Sequence, residues 1–113
     1  MWRDDAILID MEAALRLAIE FSQGQNEASF RENRLLQAAI LHELMILGEA
    51  VNGLSNEFRA THTGIPWRDI TNLRHRIVHD YAHMDLGKVW NIVEHEVPAL
   101  LLSIEPLLPK EPV

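Results

Sequence analysis

Three side chains suited to phosphate chemistry stand close together in the segment Leu73-Arg-His-Arg-Ile-Val-His-Asp-Tyr81. Arg74 carries a planar fork of donors that matches the oxygens of a phosphate. His79 is of the type whose unperturbed pKa lies near neutrality, so it can give or take a proton there. Tyr81 adds a hydroxyl that can orient an oxyanion or the imidazole. The set suits proton transfer coupled to stabilisation of charge developing on a phosphoryl group. His75 and Arg76 share the stretch and Arg68 lies just before it; they either extend a phosphate track or balance an acidic surface. Glu49, far upstream, either pairs with Arg74 or stays solvated.

A metal reading competes with this one. His75, His79 and His83 fall at i, i+4 and i+8, a spacing that aligns ligands along one helix face. Asp80 and Asp85 are near, but nothing clearly completes the set, so neither metal nor cofactor is assigned. Trp67 and Trp90 are expected to pack in the core or an interface. No role is argued for His42, His62 or His95.

The elements that must position these residues read as helices. Ile7, Met11, Ala14, Leu15 and Ala18 recur at helical steps, predicting a first helix from about Asp4 to Gln23, stopped by Gly24. A second helix is expected from Ser29 to Leu54, with Ser29 and Glu32 as a capping box. Its stretch Leu35 to Leu47 is apolar on most sides and so should lie centrally, with Gly48 allowing close approach or a bend. Ser55 caps a short helical turn over Asn56 to Ala60. Pro66 suits the first position of a motif helix running to Tyr81. The last helix is expected from Asp85 to Leu107, kinked or broken at Pro98. Strand alternation and hairpin dipeptides are absent from the pattern. The expected fold is all-α: an up-and-down bundle of four main helices plus a short one, a single domain over 1–108 with a frayed tail over 109–113.

Angles along the motif helix divide its residues. With Ile70 at zero and 100° per residue, Leu73, Ile77 and Tyr81 fall within about 60° of it, and Arg74 lies near 40°. His75, His79 and His83 lie on the opposite side, at roughly 140°, 180° and 220°. Arg74 and Tyr81 are thus expected together on the core side, with His79 facing outward. A joint site then needs another surface. A second copy of the helix about a two-fold axis would supply it, with Val78 and Thr71 in the interface.

Composition narrows the function. The 113 residues carry a formal charge of −7, which disfavours broad non-specific binding to nucleic acid while leaving room for a local basic site. Cysteine is absent, which removes disulfides and thiolate ligands. The acidic start lacks the pattern of a signal peptide, and no apolar run reads as a bilayer span, so a soluble cytoplasmic protein is expected, without membrane association.

Arg74-x4-His79-x-Tyr81 resembles the HEPN motif as it occurs in HepT-like toxins. Ile65-Pro-Trp-Arg-Asp-Ile70 before it, Asp85-Leu and Val89-Trp90 after it, and Gly48-Glu-Ala50 upstream look like the same family, so that the resemblance covers roughly residues 35 to 105. His75 stands where the family has a polar residue, often Asn, and keeps the polar character. The resemblance implies a helical bundle that forms a homodimer through the motif helix, with two motifs facing one cleft. It implies a metal-independent endoribonuclease, the toxin of a type VII toxin–antitoxin system, in which Arg74 and His79 are catalytic and RNA is the substrate. The partner implied is an MntA-type nucleotidyltransferase antitoxin that silences the toxin by transferring AMP to Tyr81. The rival reading is a non-catalytic helical module that docks a nucleotidyltransferase and presents its substrate.

Overall fold

The computed structural model of the chain describes residues 2–110. Helix α1 (Trp2–Ser22) turns one stripe inward, and Leu8, Met11, Ala14, Leu15 and Ala18 are buried along it. It stops at Gly24, whose φ of +73° favours a residue without a Cβ. That stop is the one the sequence predicted.

The span expected as one helix from Ser29 to Leu54 is two. Helix α2 (Glu27–Glu32) is capped by Asn26, whose side chain accepts from the Ser29 N–H while the Ser29 hydroxyl accepts from the Asn26 N–H. Ser29 therefore belongs to a capping box, but as its third helical residue and not its cap. Asn33 then leaves helical geometry at φ −118° and ψ 95°, and caps α3 (Arg34–Gly53) by accepting from the Leu36 N–H. The amide of Gln37 donates to the carbonyls of Phe30 and Arg31, which satisfies the end of α2. A polar side chain thus outcompeted helix continuation.

Helix α4 (Asn56–Thr61) begins at Ser55, whose hydroxyl accepts from the Phe58 N–H as expected of a cap. Helix α5 (Trp67–Asp80) carries the motif. Pro66 stands one position before it instead of inside its first turn, and its carbonyl accepts from the Ile70 N–H. Trp67, Ile70, Leu73 and Ile77 form the buried face. Tyr81 lies beyond the α-helix, in a 3-10 turn over Tyr81–His83.

The last helical rod starts at α6 (Leu86–Asn91), capped by the Asp85 carboxylate. It widens into one π-turn over Ile92–Glu96 and continues as α7 (Val97–Ile104). Pro98 lacks an N–H and its ring crowds the carbonyl four residues back. The wider turn just upstream absorbs both problems without breaking the rod. A 3-10 turn, Glu105–Leu107, ends it. Of the expected frayed tail, residues 111–113 lie outside the described residues.

The described residues hold no strand and are 84% helical. The long elements are α1, α3, α5 and the α6–α7 rod; the short ones number two, α2 and α4, where one was expected. Helix α3 is central, packed by α1 on one side and α5 on the other, and α7 closes back on α1. By length and composition α3 could cross a bilayer, contrary to the sequence reading that no run qualified. Here it carries Ile40, Leu41, Leu44, Leu47 and Val51 into the core. Phe30 and Trp90 meet at 5.4 Å and join α2 to the rod. Trp67 donates its indole N–H to the His62 carbonyl at 2.9 Å, fixing the start of α5.

One buried carboxylate ties the start of α1 to the link between α3 and α4. Asp4 accepts from the Ser55 backbone N–H at 2.9 Å and from its hydroxyl at 2.8 Å. The backbone hydrogen bond from Ser55 holds the carboxyl below its usual range, against the opposing effect of burial. A group with a depressed folded pKa contributes stability above its unfolded pKa and loses it as pH falls through the folded value. Asp4→Asn should therefore lower the melting temperature at neutral pH, with the gap to wild type closing in acid; thermal melts across pH check this. Ser55→Ala, which also removes the α4 cap, should cost about 1–2 kcal/mol in denaturant unfolding.

Candidate active site

The site begins with a glycine. Helices α3 and α5 cross so closely at Gly48 that a Cβ there would stand 2.2 Å from the Arg74 Cβ and 2.9 Å from its Cγ. The stem of Arg74 therefore lies flat on the α3 backbone, occupying the space a side chain would fill. Its guanidinium emerges beside the next residue, Glu49, and an Nη donates to the Glu49 carboxylate. The Arg74 Nε is buried and finds no hydrogen-bond partner among the described residues. An unsatisfied buried donor costs about 1–3 kcal/mol. Packing over Gly48, more than hydrogen bonding, must hold the stem in place. Glu49 is half-exposed, and exposed ion pairs contribute at most about 1 kcal/mol. It engages one Nη of a five-donor fork.

His79 is exposed, as its angle predicted. Its ring centroid lies 4.3 Å from that of His75, with the planes at 47°. The two imidazoles thus form a pair on the outer face of α5. His83 is drawn away by the 3-10 turn and lies 3.4 Å from Asp80. Among the described residues no three His, Cys, Asp or Glu side chains gather as a metal site.

Tyr81 departs from expectation. The helical projection put it on the core face beside Arg74, but it is 50% exposed. The projection assumed α-helical geometry through residue 81, but Asp80 leaves it at φ −141° and ψ 35°, before the 3-10 turn begins at Tyr81. Tyr81 makes no hydrogen bond to Arg74 or His79. Thr71, Arg74 and Val78 remain on one flank of α5, with Val78 45% exposed.

The remaining candidates fall on the other flank. His75 and Arg76 line a groove of about 1010 Å³ between α5 and the α6–α7 rod. Arg68 is exposed and lies outside it; only its carbonyl is used, accepting from the Thr71 hydroxyl. The sequence set therefore splits in one chain: Arg74 with Glu49 toward α3, His75 and Arg76 toward the groove, His79 between them on the outer face. The sequence reading missed Asn72, Lys88 and Asn91, which also line the groove. Their only sequence signal was polar character at helical positions beside the motif.

Residues 11–107 match the family described as Ribonuclease HepT-like. The chain belongs to that family. It is 31% identical over 100 residues to a protein of Thermococcus cleftensis named "Probable ribonuclease HepT", covering 88% of this chain and 91% of the relative. Two others carry the name "putative RNase". One, from Methanocaldococcus jannaschii, is 30% identical over 88% of this chain and 92% of its own length. The other, from Caldanaerobacter subterraneus subsp. tengcongensis, is 32% identical over 82% of this chain and 83% of its own. No solved structure matches significantly.

In this HepT-like chain the matched span takes in Glu49, Arg68, Arg74, His75, Arg76, His79 and Tyr81, while Asp4 lies outside it. The close crossing at Gly48 is thus part of the HepT-like portion. Gly48→Ala should cost up to about 2 kcal/mol net, since overpacking costs about 1–3 kcal/mol and the gain in helix propensity returns about 1. Denaturant unfolding measures the loss, and a second variant, Gly53→Ala, is the control for helix propensity, because there the new Cβ meets only the flexible end of Ile7 at 3.1 Å.

Proposed function

We propose that this HepT-like ribonuclease is a metal-independent endoribonuclease acting as the toxin of a type VII toxin–antitoxin pair. The observation that carries the reading is the placement of Arg74: its stem is fixed on Gly48, its fork reaches the surface, and His79 is solvent-facing five residues on. Arg74 binds the scissile phosphate and stabilises charge on its oxygens in the transition state. An imidazole removes the proton of the ribose 2′-hydroxyl as the O2′–P bond forms. A second imidazole protonates the 5′-oxygen as the P–O5′ bond breaks.

One chain presents Arg74 and His79 on different flanks, so the cleft is built by a homodimer about a two-fold axis. Val78 and Thr71, on the Arg74 flank, belong to that interface. The two His79 residues then divide the roles of base and acid. Tyr81 is the regulatory residue. Half-exposed at the end of α5, it is accessible to an MntA-type nucleotidyltransferase antitoxin, which transfers AMP to the phenolic oxygen. The adduct puts bulk and negative charge where RNA phosphate must enter. The protein acts in the cytoplasm.

His79→Ala should reduce RNA cleavage by about 10²-fold or more, the usual contribution of a general acid–base group, and should relieve growth arrest when the chain is expressed alone. Cleavage of total RNA by wild type should persist in EDTA. Equal growth with wild type and His79→Ala would remove the toxin reading; loss of cleavage in EDTA would remove the metal-free mechanism. Tyr81→Phe should escape silencing by the co-expressed antitoxin, and mass spectrometry of the wild-type chain should find AMP on Tyr81.

A further inference from the structure

We propose that the groove between α5 and the α6–α7 rod seats one nucleoside of a single-stranded RNA, next to the phosphate that His79 serves, and that it favours a base with an exocyclic amino group. This rests on the ribonuclease reading and adds to it a subsite outside the Arg74, His79 and Tyr81 motif.

The groove exists because α5 packs chiefly on α3 while the rod packs on α1 and α2. The floor between them is aliphatic, formed by Leu44 and Leu47 of α3 and Ile70 and Leu73 of α5. Its volume of about 1010 Å³ reaches the upper end of the roughly 300–1,000 Å³ of small-molecule clefts. One nucleoside with its sugar fits, and a flat aliphatic floor suits the face of a base.

The walls carry the polar groups that an aliphatic floor lacks. Asn72 on α5 and Asn91 on the rod both line the groove and both are exposed. Each can donate and accept, so opposed amides can grip the edges of a planar ring. Burying the same amides under an apolar partner helix would leave them unsatisfied. This favours a nucleoside over a protein segment.

Charge is graded along the groove. The short link after α5 turns the chain back, so the end of α5 lies beside the start of α6. There Arg76 and Lys88 line the two walls together with His75, whose ring is 4.3 Å from His79. Two carboxylates at this end are already engaged: Asp85 caps α6 and Glu27 pairs with Arg31 at 3.0 Å. The cations are placed for phosphate, adjoining the proposed catalytic imidazole. At the far end Asp69 and Glu96 line the groove, and neither takes part in a salt bridge among the described residues. A carboxylate repels phosphate but accepts from an exocyclic amino group, as Asp and Glu do toward cytosine N4. Cytidine and adenosine carry such a group and uridine does not.

The test uses full-length protein with labelled Ile and Leu methyls and 2′-O-methyl RNA hexamers of cytidine, adenosine or uridine, which cannot be cleaved. The expected result is chemical-shift change at Leu44, Leu47, Ile70 and Leu73 with the cytidine and adenosine hexamers, weaker with uridine. Asn91→Ala and Lys88→Gln, both on exposed positions, should each weaken that binding about tenfold. In cleavage of pooled RNA the same variants should raise KM more than they lower kcat and change the bases flanking the cut, whereas His79→Ala lowers kcat. Equal binding of uridine overturns the amino-group preference. Shifts confined to other surfaces, or groove shifts that follow protein concentration without RNA and so report a second copy, overturn the subsite. If wild type cleaves nothing, the ribonuclease reading fails, and the hexamer titration still decides whether the groove binds RNA.

Discussion

The contact on which the site depends is the crossing of α3 and α5 at Gly48. No Cβ fits between the α3 backbone and the Arg74 stem. That single absence sets how deep α5 lies, and with it the direction of every side chain that α5 displays. It also places a long cationic side chain at a buried crossing without burying its charge. The methylene stem covers apolar surface while the guanidinium reaches Glu49 at the rim. The cost is visible in the unpartnered Nε. Residues placed for function often carry such costs.

From this crossing follows the division of labour around α5. Its inner face, Trp67, Ile70, Leu73 and Ile77, is spent on the core. One flank holds Arg74 with Glu49 and the exposed Val78. The other opens on the groove, because the rod is held away by its own packing on α1 and α2. The paired imidazoles of His75 and His79 stand between the two flanks. One chain thus presents Arg74 and His79 on different flanks. The proposed chemistry draws on a second copy to bring them to face one another.

Elsewhere the fold solves local conflicts by short irregular turns. Asn33 divides what would be one long helix, and its cap hydrogen bond offsets the bonds lost. A single wide turn before Pro98 keeps the rod continuous. The non-helical backbone of Asp80, just before the 3-10 turn, lifts Tyr81 off the core face. Asp4 and Ser55 then join the first turn of α1 to the cap of α4 across a long stretch of sequence.

The sequence by itself determined the helices apart from the break at Asn33, most of their faces and the outward direction of His79, because these follow from a repeat of 3.6 residues and local caps. It also determined the family, through residues close together in the chain. It marked Gly48 as a point of close approach or a bend, without saying which or what would approach. Only the tertiary structure decided that Arg74 fills that space, that Glu49 meets it, and that Asp4 is buried on Ser55. Each of these joins residues far apart in sequence, where periodicity carries no information. Tyr81 shows the limit from the other side: the projection that placed it inward held for α5 and failed at the first residue where the backbone changed its turn. Arg74, His79 and Tyr81 were legible as a set of types. The separation of Arg74 from His79 followed from their angle on the helix, and that of Tyr81 from the turn after α5.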